Sequence, residues 1–238
     1  MRIHSVLVPL ALLATALPAY AGSIAIDGRG EVRAAPDMAT VMSGVTTQGA
    51  TAREALDANT EAMAELIAAL KEAGIEARDI QTSGFSVNPN YVYSDARDEL
   101  GYTLPPKING YQVANSVTVV VRDLDELGTI LDQSVTVGAN TVNGVNFSVA
   151  DPSDLLNEAR KAAFADAGAK AELYAEVAGA QLGDLESISE RQDYGSPQPY
   201  AMYARAEAAS AAPVPVEVGE LTFAVTVSVE WDLDNTAD

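Results

Sequence analysis

Hydrophobic and polar positions change their period along this chain, and the changes divide it into strands and helices. Ala39 to Thr47 (ATVMSGVTT) is rich in β-branched residues and predicts a half-buried strand. Thr51-Ala-Arg-Glu54 follows as a capping box, in which the Thr hydroxyl accepts from an orphan N–H and the Glu reaches back. Leu56, Met63, Leu66, Ile67 and Leu70 then recur at helical spacing, predicting a helix to Ala73 closed by Gly74 as the left-handed C′ residue. Ile75 to Asp79 leads into a second strand through Gly84-Phe-Ser-Val87.

The order recurs. Asn115 to Val121 predicts a strand, and Asp123 with Glu126 at N3 caps a shorter helix carrying Leu124, Leu127, Ile130 and Leu131. Thr141 to Val149 predicts the next strand. Asp151-Pro152 then starts a long helix, about Ser153 to Ala178, that ends at Gly179. Its stripe of Leu156, Ala159, Ala163, Ala167, Ala171 and Tyr174 is mostly alanine, which buries only about 0.8 kcal/mol per CH₂-sized increment but permits close packing. Leu182 to Gln192 predicts a strand. Glu220 to Leu233 alternates so regularly that Leu221, Phe223, Val225, Val227, Val229 and Trp231 must share one face.

Ile24 to Arg33 (IAIDGRGEVR) reads as an edge-like strand. Its Gly28-Arg-Gly30 lacks the third glycine and the following helix of a phosphate loop, so the glycines are expected to mark a bulge or bend. Together the elements predict an α+β fold: a two-layer helix-on-sheet sandwich with mainly antiparallel strands and repeated strand–helix–strand units. Two packed subdomains are expected, one from about 22–114 plus 180–238 and the other from about 115–179. Two long irregular stretches interrupt the pattern. Ser94 to Lys107 is a polar loop stopped by Pro105-Pro106, and Asp193 to Gly219 is rich in proline, alanine and tyrosine.

Residues 1–21 have a different character. Arg2, the apolar run Val6 to Leu17 and Ala19-Tyr-Ala21 are the parts of a cleavable signal peptide, and the run falls short of the ~20 residues that span a bilayer. The expected compartment is the periplasm. Cleavage after Ala21 would remove Arg2 and His4, leaving a chain with no His and no Cys and one charge more negative than the −20 of the whole sequence. That charge disfavours nucleic acid and anionic lipid as partners, because both are recognised by basic patches. Ser-His-Asp and Cys-His chemistry, and zinc sites built from His or Cys, are excluded for such a chain.

The order of short motifs resembles the SIMPL domain family. Gly28-x-Gly30-x-Val32 and Pro36-Asp37-x-Ala39-x-Val41 open it. Leu70-Lys-Glu-Ala-Gly74 with Asp79-Ile80-x-Thr82, Asn109-Gly-Tyr111, Val117-x-Val119 and Arg122-Asp-Leu-Asp125 continue it. Gly144-Val-x-Phe147, Ala159 to Ala171 and Gly219 close it. The resemblance, nearest to the family's periplasmic immunogenic type, implies a secreted or periplasmic protein without established activity. It further implies self-assembly into a ring or channel-like oligomer, an envelope or stress-related role with outer-membrane association, and no catalytic residue, cofactor or metal.

Tyrosines supply the candidate interface. Tyr91, Tyr93 and Tyr102 lie in or beside the first long loop, and Tyr194, Tyr200 and Tyr203 in the second. Tyr suits an interface because its body is apolar and its tip polar. Two other readings stay open from sequence. One is a glycosidase-like hydrolase using paired carboxylates ~5–9 Å apart. The other is an acidic cation-binding module at Asp232, Asp234 and Asp238, whose spacing lacks the EF-hand glycine and terminal Glu.

Overall fold

The computed structural model describes residues 22–191, 198–199 and 214–235. Residues 1–21, expected from sequence to be a signal peptide, and Tyr194, Tyr200, Tyr203 and Asp238 lie outside them. The chain forms two compact units. Among the described residues, one comprises 22–30, 160–191 and 225–235; the other comprises 31–159, 198–199 and 214–224.

The larger unit is built from two interleaved strand–helix–strand runs. Strand β2 (Met38–Gly49), helix α1 (Ala52–Glu72) and strand β3 (Ile80–Val92) form the first. Strand β4 (Lys107–Val121), helix α2 (Leu127–Thr136) and strand β5 (Thr141–Ser148) form the second. All four strands share one sheet in the order β3-β4-β2-β5, antiparallel at each pairing. Each helix therefore connects two strands that leave a gap for one strand of the other run, the split arrangement of a βαββαβ fold.

The core of this unit follows from the strand period. Ala39, Val41 and Val45 of β2 and Val117, Val119 and Val121 of β4 point to one face, where Met63, Leu66 and Leu70 of α1 and Leu127, Ile130 and Leu131 of α2 cover them. The capping box at Thr51 is present as the sequence predicts, with Glu54 N–H donating to Thr51 Oγ1 at 3.2 Å and Thr51 N–H to Glu54 Oε2 at 3.3 Å. Gly74 sits at φ +89°, where a Cβ would strain the backbone. The buried line of α1 is Ala55, Asn59, Met63, Leu66 and Leu70. Leu56 and Ile67, placed on the stripe by sequence, are only half-buried, because the true line steps mostly by four residues. Asn59 belongs to it because its Nδ2 donates to Val45 O at 2.9 Å and Val113 O at 3.4 Å.

Two further expectations need correction here. Asp123 does not cap α2 through N3: its Oδ1 accepts from Asp125 N–H at 3.1 Å and holds a 3₁₀ turn, Leu124–Glu126, ahead of the α-helix. The strand expected from Asn115 begins at Lys107, so β3 and β4 pair as a long hairpin from Ile80↔Val119 to Val92↔Lys107.

The other unit draws on strand β1 (Gly22–Ala34), helix α3 (Ser153–Ala178), strand β6 (Ala180–Arg191) and strand β8 (Leu221–Asn235), with sheet order β1-β8-β6. A two-residue strand β7 (Gln198–Pro199) pairs with the start of β8. Leu221, Phe223, Val225, Val227, Val229 and Trp231 are all buried, as the alternation requires. Ala159, Ala163, Ala167, Ala171 and Ala175 line the buried side of α3, whereas Tyr174 is exposed. The alanines explain Gly28, which is not there for a bend. A Cβ on it would lie 2.1 Å from Ala163 O and 2.6 Å from Ala167 Cβ, so helix and strand backbones touch. Asp232 and Asp234 are residues of β8, which runs to Asn235.

Candidate functional site

The β3–β4 hairpin carries its apolar side chains outward at the tip. A register shift between Asn90 and Tyr91 sets Tyr91 against Ile108 and Val92 against Lys107. Tyr93 is 79% exposed, Tyr102 71% and Leu100 83%, while Tyr91 is half-exposed. The connecting loop is folded. Ala96 O accepts from Leu104 N–H at 2.9 Å, Tyr102 O from Asp98 N–H at 2.8 Å, and an isolated bridge joins Arg97 to Thr103. Asp98 Oδ1 accepts from Leu100 N–H at 3.0 Å and Tyr102 N–H at 2.8 Å, and Arg97 Nη1 donates to Gly101 O at 2.6 Å. With its backbone groups paired this way, the loop presents Tyr93, Leu100 and Tyr102 on a defined frame. Between loop and strands lies an open cavity of about 480 Å³.

Of the predicted interface residues, the structure thus brings Tyr91, Tyr93 and Tyr102 together on one hairpin tip. Tyr111 stays half-buried against Pro89 in the same hairpin.

A second polar arrangement joins two stretches that the sequence shows only separately. Asp79, in the 3₁₀ turn before β3, and Arg122, at the end of β4, form a bidentate pair: Nε to Oδ2 at 3.0 Å and Nη2 to Oδ1 at 2.9 Å. Asp79 is 7% exposed and Arg122 49%. The guanidinium hydrogen bond holds the Asp79 carboxyl below the usual range against the opposing effect of burial, and raises the Arg122 pKa in turn. A cavity of about 260 Å³ borders the pair, with Glu76, Asp123 and Glu126 also on its wall. The depressed Asp79 and raised Arg122 keep both groups charged at neutral pH, so the arrangement acts as a clasp between the 3₁₀ turn before β3 and the residue that follows β4.

In the other unit, Glu186 of β6 is pushed up mainly by the charge of Asp232 on β8, with a hydrogen bond to Asp232 and partial desolvation adding to it. Glu186 is exposed on its strand. Among the described residues no group of three or more His, Cys, Asp or Glu side chains converges as a metal site. No described helix is long and apolar enough to cross a membrane.

The SIMPL family profile, described as a protein of unknown function (DUF541), matches residues 24–231. A 26 kDa periplasmic immunogenic protein of Brucella melitensis is 42% identical over 232 residues, covering 92% of each chain. The uncharacterized protein YggE of Escherichia coli is 30% identical over 186 residues, 78% of this chain and 72% of that one. YggE of Edwardsiella ictaluri is 30% identical over 189 residues, 79% and 76%. The chain belongs to the SIMPL family.

Proposed function

We propose that this chain is an exported, non-enzymatic periplasmic protein that assembles with copies of itself through the aromatic tip of the β3–β4 hairpin. The carrying observation is the grouping of Tyr91, Tyr93, Leu100 and Tyr102 as exposed side chains on a hydrogen-bonded loop. Large apolar side chains held outward on an ordered frame lose little conformational entropy on docking, which favours contact over solvation. Export is supported by the Arg2 to Ala21 pattern and by the word periplasmic in the name of the Brucella relative. A non-enzymatic role is supported by the printed names of the relatives, which state no activity.

A net charge of −20 opposes association, and salt shortens that repulsion to ~8 Å at physiological ionic strength. Solution mass by light scattering should therefore rise with salt. Replacing Tyr93 and Tyr102 together by Ser should lower it while the far-ultraviolet circular dichroism stays the same. A wild-type chain that remains monomeric at high concentration and high salt overturns the reading.

A further inference from the structure

The cavity at the hairpin tip has a chemistry of its own, separate from the outward tyrosines. Val92, Leu104 and Ile108 give it apolar walls, Ser94 and Asn109 add a hydroxyl and an amide, and Lys107 is the sole charged residue in its lining. Three arginines of this unit are engaged by carboxylates: Arg122 by Asp79, Arg78 by Glu76, Arg53 by Asp57. The Lys107 ammonium has no such carboxylate among the described residues. Lys107 thus sets a single positive charge beside the groove's apolar walls. Asp95 stands between the lining residues Ser94 and Ala96 but is not itself part of the groove wall. A volume of about 480 Å³ falls within the ~300–1,000 Å³ of small-molecule sites, and a few polar groups among apolar walls is their usual composition.

We propose that this groove binds a small amphiphile with an apolar chain and a carboxylate head. The carboxylate pairs with Lys107 and accepts hydrogen bonds from Ser94 and Asn109, while the chain lies along Val92, Leu104 and Ile108. A cationic amphiphile is rejected by Lys107, and a neutral one gains only the apolar contact.

Isothermal titration of the chain with dodecanoate, dodecanol and dodecyltrimethylammonium, each below its micelle concentration, tests this. Dodecanoate should bind about tenfold more tightly than dodecanol, the ratio expected for one charge-assisted contact, and the ammonium compound should not bind. Lys107→Gln should bring dodecanoate to the level of dodecanol, and Leu104→Asp should abolish both. Tyr93→Ser, outside the groove, should leave all three unchanged, which separates this site from self-assembly. The proposal is overturned if dodecanoate gives no saturable heat at about millimolar concentration, if dodecanol binds as well, or if Lys107→Gln retains the preference. Circular dichroism checks that Lys107→Gln, a surface change, is folded.

Discussion

Helices α1 and α3 each lie on an antiparallel sheet and each end at a glycine of positive φ, Gly74 and Gly179, yet they hold their sheets by opposite means. Helix α1 stands off and fills the space with Met63, Leu66 and Leu70. Helix α3 presents Ala163 and Ala167 and lies so close that Gly28 of the strand can carry no side chain. The first interface gains from the apolar area of large side chains; the second gains from dense backbone contact, where dispersion is summed over many short distances. An interface filled by side chains relaxes partly when one is trimmed. A backbone contact has no flexible end to move.

The largest effect should come from adding bulk at the close contact. Gly28→Val should cost about 3 kcal/mol or more, above the usual ~1–3 for an overpacked core, because the first atoms met belong to helix backbone. Trp231, the single tryptophan, packs 6.2 Å from Phe164 of α3 and reports on this unit. Its fluorescence should shift before the bulk of the circular dichroism is lost. A near-native urea midpoint would show that the helix can lift at little cost. Trimming the other interface comes next. Leu66→Ala leaves a cavity under α1 and should cost ~2–5 kcal/mol with Trp231 emission unchanged before unfolding. An emission change at zero denaturant would contradict the local reading.

The same contrast explains what the sequence discloses. Alternation in β8 and the caps of α1 and α3 are local signals, and the elements stand where those signals put them. Asn59 was invisible because a polar residue breaks an apolar stripe on paper, although its amide donates to two strand carbonyls in the fold. The purpose of Gly28 and the Asp79–Arg122 clasp both depend on residues far along the chain, and strand order β3-β4-β2-β5 is a long-range choice that no local period encodes. The tip tyrosines could be picked out by composition, but not the turn that Asp98 stabilises beneath them, since its bonds are made to backbone N–H groups.

Ion pairs extend the comparison. Asp79–Arg122 fastens the α1 side with a nearly buried carboxylate, whereas Arg160–Glu190 of α3 and β6 is more open, with Glu190 29% exposed. Asp79→Asn should lower the urea midpoint at pH 7 more than Glu190→Gln does. Because the folded Asp79 pKa is depressed, its stabilisation is complete above the ordinary carboxylate range and is lost as pH falls through the folded value. The wild-type advantage over Asp79→Asn should shrink below about pH 4. An advantage independent of pH would mean that the loss is one of shape and not of charge. Smaller again is the cap: Thr51→Ala should cost ~1 kcal/mol, read as a shifted denaturation midpoint, and an unmoved midpoint would mean α1 starts elsewhere.

The smallest effect should have the opposite sign. Glu186 faces Asp232 across the β6–β8 pair, with Glu230 and Asp184 adding negative charge, and its pKa is raised above the ordinary value. Lys and Arg are absent from the groups that shift it. A carboxyl whose folded pKa exceeds its unfolded one binds its proton more tightly in the fold, so the charged form destabilises at neutral pH and protonation relieves this as pH falls through the raised value. Glu186→Gln keeps the shape and a hydrogen-bonding amide but removes the repulsion. It should raise the midpoint slightly at pH 7, and the gain should fade as pH falls through the carboxylate range, where the wild-type residue takes up its own proton. Salt should diminish the gain as well, since Glu186 is exposed and its repulsion is screened. Equal midpoints for wild type and variant at pH 7 and low salt would mean that the two carboxylates avoid each other in solution.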